Sequence, residues 1–309
     1  WSDSDCLLIQ QSHYRWRNDD DGEGVPNSEW YNGSWTKRKR AVFTNPDATS
    51  YSNAAVKMTV TYDSDMQADF DDLRFTDVNG TTTLDYWRET YTASSQAVVW
   101  VEVPTLTASA DTSVFMYYGN SGASDASSGS TTFEVFDDFE DANITEYGGD
   151  TSLFTAGTGF AYDRTRGLDA LGTENSQTSD GIYRTSVTTQ QGKTIRYFQY
   201  INTTTGSTDE SCALFGVQTP GANNNNYAVC LALFGSDRVT IAEDVSSNED
   251  SGTVLATSSL AYVTGWHEVE IDWRTGNTIF VTVSRSGSVV AKTSVTDASY
   301  TSGGIGFSY

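Results

Sequence analysis

Between residues 97 and 103 the chain reads Ala-Val-Val-Trp-Val-Glu-Val, and between 266 and 273 it reads Trp-His-Glu-Val-Glu-Ile-Asp-Trp. Side chains that change character with a period of two are sorted onto the two faces of a strand. Short runs of this kind, rich in β-branched and aromatic residues, recur along the chain between turn signals such as Asn45-Pro46 and Val78-Asn79-Gly80. No stretch carries the period of a long amphipathic helix. The pattern predicts an all-β fold of antiparallel sandwiches.

A chain of 309 residues exceeds one typical domain, so two sandwiches are expected. Strands are predicted at 40–44, 54–62, 73–76, 83–90, 97–103 and 113–118, then at 133–139, 193–201, 211–217, 227–233, 238–244, 266–273, 278–285, 288–294 and 304–309. Residues 119–131, GNSGASDASSGST, read as a small-residue linker. The expected division is a docking strand and turn at 1–25, a first sandwich at 26–132 and a second at 133–309. No repeat of 20–50 residues is present.

The net charge is −23, which repels phosphate backbones and anionic lipid heads, so nucleic acid is not an expected partner. No apolar stretch is long enough to span a bilayer. The sequence starts at Trp1 and reads as a mature product whose export signal has been removed. Extracellular or cell-surface location is therefore expected. Asn32, Asn79, Asn143 and Asn202 open Asn-x-Ser/Thr triplets in predicted turns or strand ends and are candidate glycosylation acceptors.

Cys212 and Cys230 flank a predicted hairpin centred near Gly221, which sets their sulfurs on facing positions. In an exported sandwich this favours a disulfide over two buried thiols. Cys6 is then left free or bonded to another molecule.

Residues 6–17 read as one extended strand with no hairpin partner, because 18–35 is turn-like. Docked into a neighbouring copy, this strand would cover a sheet edge and propagate head to tail. Leu7, Leu8, Ile9, Tyr14 and Trp16 would be the buried plugs and Cys6 a covalent lock. The plainer alternative is an ordinary first strand of the first sandwich.

Four motifs run in order through residues 35–136: Trp35-Thr36-Lys37-Arg38, Asp72-Leu73-Arg74-Phe75-Thr76-Asp77, Val99-Trp100-Val101-Glu102-Val103-Pro104 and Met116-Tyr117-Tyr118-Gly119-Asn120. Through them this region resembles an uncharacterised domain family of archaeal and bacterial surface proteins. Residues 133–309 are similar to the concanavalin A-like and laminin-G-like jelly-roll sandwiches, through Phe136-Asp137-Asp138-Phe139, Gly265–Trp273 and Gly304-Ile305-Gly306-Phe307. The leader His13–Asp20 looks like one recurring ahead of bacterial surface domains. These resemblances imply location and architecture; neither dictates a reaction.

Glu268, Glu270 and Asp272 share one face of their strand, and some concanavalin-like glycosidases carry two Glu flanking an Asp in this way. Retaining chemistry needs a nucleophile and an acid about 5–5.5 Å apart. The family pattern places its second Glu after the Asp, where this chain has Trp273, Arg274 and Thr275. No enzymatic activity is expected, and an outward polar face explains the alternation equally well. The two histidines, His13 and His267, fall in different predicted domains, so neither a metal cluster nor a triad assembles; both read as solvent-facing.

No cofactor is required. Asp137, Asp138, Glu140 and Asp141 form an oxygen-rich run suited to a structural calcium. Trp100, Trp266 and Trp273 alternate with apolar partners and are expected in cores, while Tyr183, Tyr227 and Tyr262 are the candidates for a glycan-binding surface. The leading expectation is a structural or adhesive subunit that partners copies of itself. A carbohydrate-binding surface module, with or without calcium, is the alternative, and a glycoside hydrolase ranks behind both.

Overall fold

A computed structural model describes residues 14–17, 30–171, 181–201, 211–218, 225–232, 238–244, 252–261 and 263–308. Cys6, Leu7, Leu8, Ile9, His13, Tyr262 and Asn202 lie outside them. The chain divides into two compact units, Trp1–Asp137 and Asp138–Tyr309, and both are built of antiparallel sheets.

The first unit contains β1 (Tyr14–Arg17), β2 (Lys37–Asn45), β3 (Tyr51–Thr61), β4 (Arg74–Thr76), β5 (Thr83–Leu84), β6 (Tyr86–Thr92), β7 (Gln96–Leu106), β8 (Ala110–Tyr118) and one helical turn, α1 (Gly129–Thr132). One sheet has the order β1-β2-β8-β4-β5 and the other β3-β7-β6. Alternation decides what lies between them. Ala97, Val99, Val101 and Val103 of β7 face Val56, Met58 and Val60 of β3 and Phe43, Val114 and Met116 of the larger sheet in one buried core. Trp100 points to the opposite side of β7 and is only half-buried, a correction to its expected core position.

The motifs in this unit have a structural cause. Asp72 is fully buried; its carboxylate accepts hydrogen bonds from the backbone of Gly119 at 2.7 Å, Asn120 at 3.2 Å and Gln67 at 3.1 Å. Its carbonyl accepts one from the Trp35 indole at 2.6 Å. Gly119 has φ +83°, and a Cβ there would stand 2.5 Å from Thr36 Oγ1, so glycine is required. The Trp, Asp and Gly of three separate motifs thus close one buried knot, where an unpaired polar group would be costly.

Residues 119–131 are not a linker. Gln67 donates to the carbonyls of Asn120 and Ala123, Arg74 to that of Ser124, and Arg88 N–H to Ser127 Oγ. Small residues serve here as close-packed turns. The stretch expected as a strand at 133–139 contains none; Phe133 and Phe136 pack on Trp87 and Trp100, so the first unit extends to Asp137.

The second unit contains β9 (Tyr147–Gly149), β10 (Phe154–Gly157), β11 (Gly167–Ala170), β12 (Gly181–Gln190), β13 (Lys193–Ile201), β14 (Ser211–Val217), β15 (Tyr227–Ala232), β16 (Arg238–Glu243), β17 (Thr253–Ser259), β18 (Gly265–Arg274), β19 (Thr278–Arg285), β20 (Ser288–Thr296) and β21 (Ser302–Ser308). Seven strands form the sheet β17-β16-β15-β14-β21-β12-β9, four form β13-β18-β19-β20, and β10-β11 is a separate hairpin. Phe215, Tyr227, Val229, Ile241, Val269, Ile271, Trp273 and Val281 fill the core between the larger sheets. Strand β21 lies inside its sheet, between β12 and β14. Cys212 and Cys230 are directly paired across β14 and β15 and form a disulfide.

A candidate carbohydrate platform

On β13, Ile195 and Tyr197 pack against the core, so alternation sends Arg196, Phe198 and Tyr200 to the outer face. Their cross-strand partners on β18 are Glu270, Glu268 and Trp266. The outer face of this sheet therefore joins three aromatic rings and a charged row. Trp266, expected in the core, belongs to this outer set.

Residues 158–166, the loop of the β10-β11 hairpin, add two more rings. Tyr162 stacks on Phe198 with centroids 3.6 Å apart and planes at 12°, and lies 5.5 Å from Trp266. Phe160 lies 4.6 Å from Tyr200, which meets Trp266 edge-on at 5.3 Å. Tyr162 and Phe160 are 43% and 48% exposed, so Phe198 and Tyr200 are each covered by a loop ring that itself faces solvent.

The loop is fixed at its base. Glu140 accepts hydrogen bonds from Thr165 N–H at 2.8 Å, Thr165 Oγ1 at 2.6 Å and Arg166 N–H at 2.7 Å. Burial opposes ionisation of Glu140, but those bonds outweigh it and hold the carboxyl below its ordinary range. Arg166 donates to the Ala156 carbonyl at 2.9 Å. A Cβ on Gly167 would stand 2.4 Å from the Phe160 carbonyl oxygen, so that glycine sets the path of the ring-bearing backbone.

Beside the rings, Arg196 donates from Nε to Glu268, and its guanidinium lies 4.5 Å from the Phe198 centroid. Arg274 donates to Asp272 at 2.6 Å. Glu268, Glu270 and Asp272 do share one face, as the alternation predicts, with Glu270 buried. Glu268 and Asp272 each accept a charge-assisted hydrogen bond from an arginine.

The other expected sites separate. Tyr183 and Tyr227 are 4% and 0% exposed, so neither ring can stack on a ligand. Tyr183 packs over Gly149, Gly181 and Gly306. The Tyr227 hydroxyl donates to Asp297, and burial, reinforced by that carboxylate, pushes it up to about 12. Glycines beside Tyr183 and the apolar neighbours of Tyr227 were the signals that these rings are structural.

Asp138 pairs with Arg164 at 3.4 Å, Asp141 accepts from Asn143 at 2.7 Å, and Glu140 is spent on the loop. Among the described residues no group of three or more His, Cys, Asp and Glu is placed to hold a metal ion. His267, expected at the surface, is fully buried with Nδ1 3.0 Å from the Gly265 carbonyl, and burial lowers its pKa. Asn32 and Asn79 are exposed and Asn143 half-exposed; Asn143 Oδ1 accepts from Thr145 Oγ1 at 2.7 Å.

Tyr14 and Trp16 do seat against a core, that of their own first unit, in a strand paired with β2. Among the described residues no helix is long and apolar enough to cross a membrane.

The class so defined is an all-β protein of two antiparallel units, the second bearing an aromatic surface platform. Residues 69–151 match a domain of unknown function, DUF2341; the match takes in Asp72 and Gly119 of the buried knot but starts after Trp35 and Gln67. No curated protein matches the chain. Among solved structures, the GH43 protein BlXynB mutant (K247S) from Bacillus licheniformis aligns at 10% identity and a TM-score of 0.36, over 88% of this chain. The chain spans 59% of the length of that structure.

Proposed function

We propose that this chain is a non-catalytic protein of the cell surface or extracellular matrix that holds carbohydrate on the outer face of β13 and β18. The observation that carries the reading is the pair of solvent-facing rings, Phe160 and Tyr162, backed by Phe198, Tyr200 and Trp266. One face of a pyranose is a patch of C–H groups, and an aromatic ring removes that patch from water. Its hydroxyls need charged or polar partners at the rim, which Arg196 and Glu268 offer. Exposed apolar patches of this kind mark interaction sites. No cofactor enters the reading.

A glycan array read with and without chelator tests it. Binding that disappears in Tyr162→Ala but not in Tyr183→Phe supports the platform, and an array blank for the folded protein sinks it. Loss of binding with chelator alone would bring calcium into the site. Turnover of a bound polysaccharide that Glu270→Gln abolishes would replace the reading with a hydrolase.

A second reading is a subunit of a surface filament or layer assembled by its N-terminal strand. Tyr14 and Trp16 sit against the core of their own first sandwich, the place an ordinary first strand takes, and the filament reading requires the same strand of another copy to fill it. Negative-stain microscopy of the protein beside a version lacking residues 1–17 tests it, with filaments in the former alone as the expected result.

A further inference from the structure

The aromatic platform has a length and a charge, and each restricts what it can hold. Phe198 and Tyr200 are two residues apart on β13, which sets them about 6.6–7 Å apart along the strand. Tyr162 rests on the first and Phe160 on the second, so the two exposed rings follow one another in the direction of β13. That step is comparable to one sugar of a linear pyranose chain. Across on β18, Glu268 is opposite Phe198 and Trp266 opposite Tyr200. The Tyr162 position therefore has a carboxylate beside it, and the Phe160 position a further ring.

Charge is the second restriction. In Asp138–Tyr309 nine Lys and Arg stand against twenty Asp and Glu, a net −11. The arginines around the rings are engaged: Arg164 with Asp138 at 3.4 Å, Arg166 with the Ala156 carbonyl at 2.9 Å and Arg196 with Glu268. Lys292 lies on β20, three strands from β13, about 14 Å across the sheet. Asp163, next to Tyr162 in the loop, is exposed, and Glu270 follows Glu268 on the same face of β18. A carboxylate or sulfate on a ligand would have to break one of these pairs to gain a cation, while facing a surplus of like charge.

From this geometry we infer that the platform takes two consecutive sugars of an uncharged linear polysaccharide lying along β13, and turns away chains of uronic acids or sulfated sugars. The inference rests on the carbohydrate reading of this site and gives it a ligand class. Each exposed ring removes the C–H face of one sugar from water, so a single sugar gains from one ring and a linked pair from both. Repulsion of acidic chains acts through solvent. It is strongest at low ionic strength and fades as salt shortens its range, to about 8 Å at about 0.15 M.

The test titrates the full chain, followed through tryptophan fluorescence, with oligomers of glucose, xylose, mannose and N-acetylglucosamine, from the single sugar upward. Galacturonate and sulfated oligomers of the same lengths form the acidic series. The expected result is an uncharged series whose affinity rises about tenfold from one sugar to two. Phe160→Ala and Tyr162→Ala should each return the two-sugar ligand to the affinity of the single sugar. No acidic series should match the uncharged one at low salt, and added salt should narrow the gap. The wild-type titrations decide both points should a loop variant fail to fold. A single sugar that binds as tightly as its dimer overturns the two-sugar span. An acidic series that binds as tightly as the uncharged one at low salt overturns the charge selection. In both cases the carbohydrate reading stands, whereas binding by no member of either series sinks that reading and this inference together.

Discussion

Both units set aromatic rings on the outer face of a small sheet, and they finish those faces in opposite ways. In the first, Trp87 and Trp100 are directly opposed on β6 and β7, and the chain folds back so that Phe133 and Phe136 cover them, stacked at 9°. A Cβ on Gly129 of α1 would lie 2.3 Å from the Phe136 ring, so the cover is drawn down as closely as backbone allows. In the second, Tyr162 and Phe160 cover Phe198 and Tyr200 but remain nearly half exposed. The same composition serves as packing where a segment seals it and as a surface where a hairpin loop only leans on it. Leaving such rings wet forfeits about 25 cal/mol for each Å² not buried, a loss that a ligand could recover.

The largest effect expected from breaking this contrast is on the sealed side. Trp87→Ala should destabilise the first unit by about 2–3 kcal/mol, below the range for a fully buried tryptophan because the ring is half-buried. Urea unfolding measures it, and glycan binding should be unchanged. On the open side the signs reverse. Tyr162→Ala should cost stability less than about 1 kcal/mol yet weaken glycan affinity at least about tenfold, equivalent to 1.4 kcal/mol; titration followed through tryptophan fluorescence separates the two. An equal stability loss at both sites would dissolve the distinction.

Smaller changes sharpen it. Gly167→Ala forces the Phe160 carbonyl to move and should lower glycan affinity by about threefold to tenfold with the melting temperature little changed. Least of all is the pH effect through Glu140. Its folded pKa is depressed below the ordinary 4.5, so its contribution is whole above pH 4.5 and is lost as pH falls through the lowered folded value. Hydrogen exchange of the Thr165 and Arg166 amides should accelerate, relative to the intrinsic rate, only below pH 4.5, and Glu140→Gln should show the faster exchange at neutral pH.

Much of the architecture was legible in the sequence because alternation is a local signal. β7 and β18 follow it residue by residue, and the Cys212–Cys230 pair follows from the hairpin that brings the two together. Residues 119–131 misled because small polar residues suit both a free linker and a tightly bonded turn; only partners distant in sequence, Gln67, Arg74 and Arg88, tell them apart. The platform was half legible. Phe198, Tyr200 and Trp266 alternate with core residues, so an outer face could be drawn, but Phe160 and Tyr162 lie in a loop with no period, and their placement depends on Glu140, Arg166 and Gly167. Tyr183 and Tyr227 looked looser than they are because Gly149, Gly306 and Asp297, which help confine them, lie far from them in sequence.

The interior position of β21 bears on when this protein can fold during synthesis. Gly181 near the start of the second unit pairs with Ser308 near its end, and β14 pairs with β21 on its other side. Until residue 308 has been made, β9 and β12 cannot join β14 to β17 in one sheet, and two strand edges stay open. The first unit, whose two sheets are complete by Tyr118, needs no such wait. Closure of the second unit's large sheet therefore depends on β21, whereas the two sheets of the first unit need no strand beyond β8.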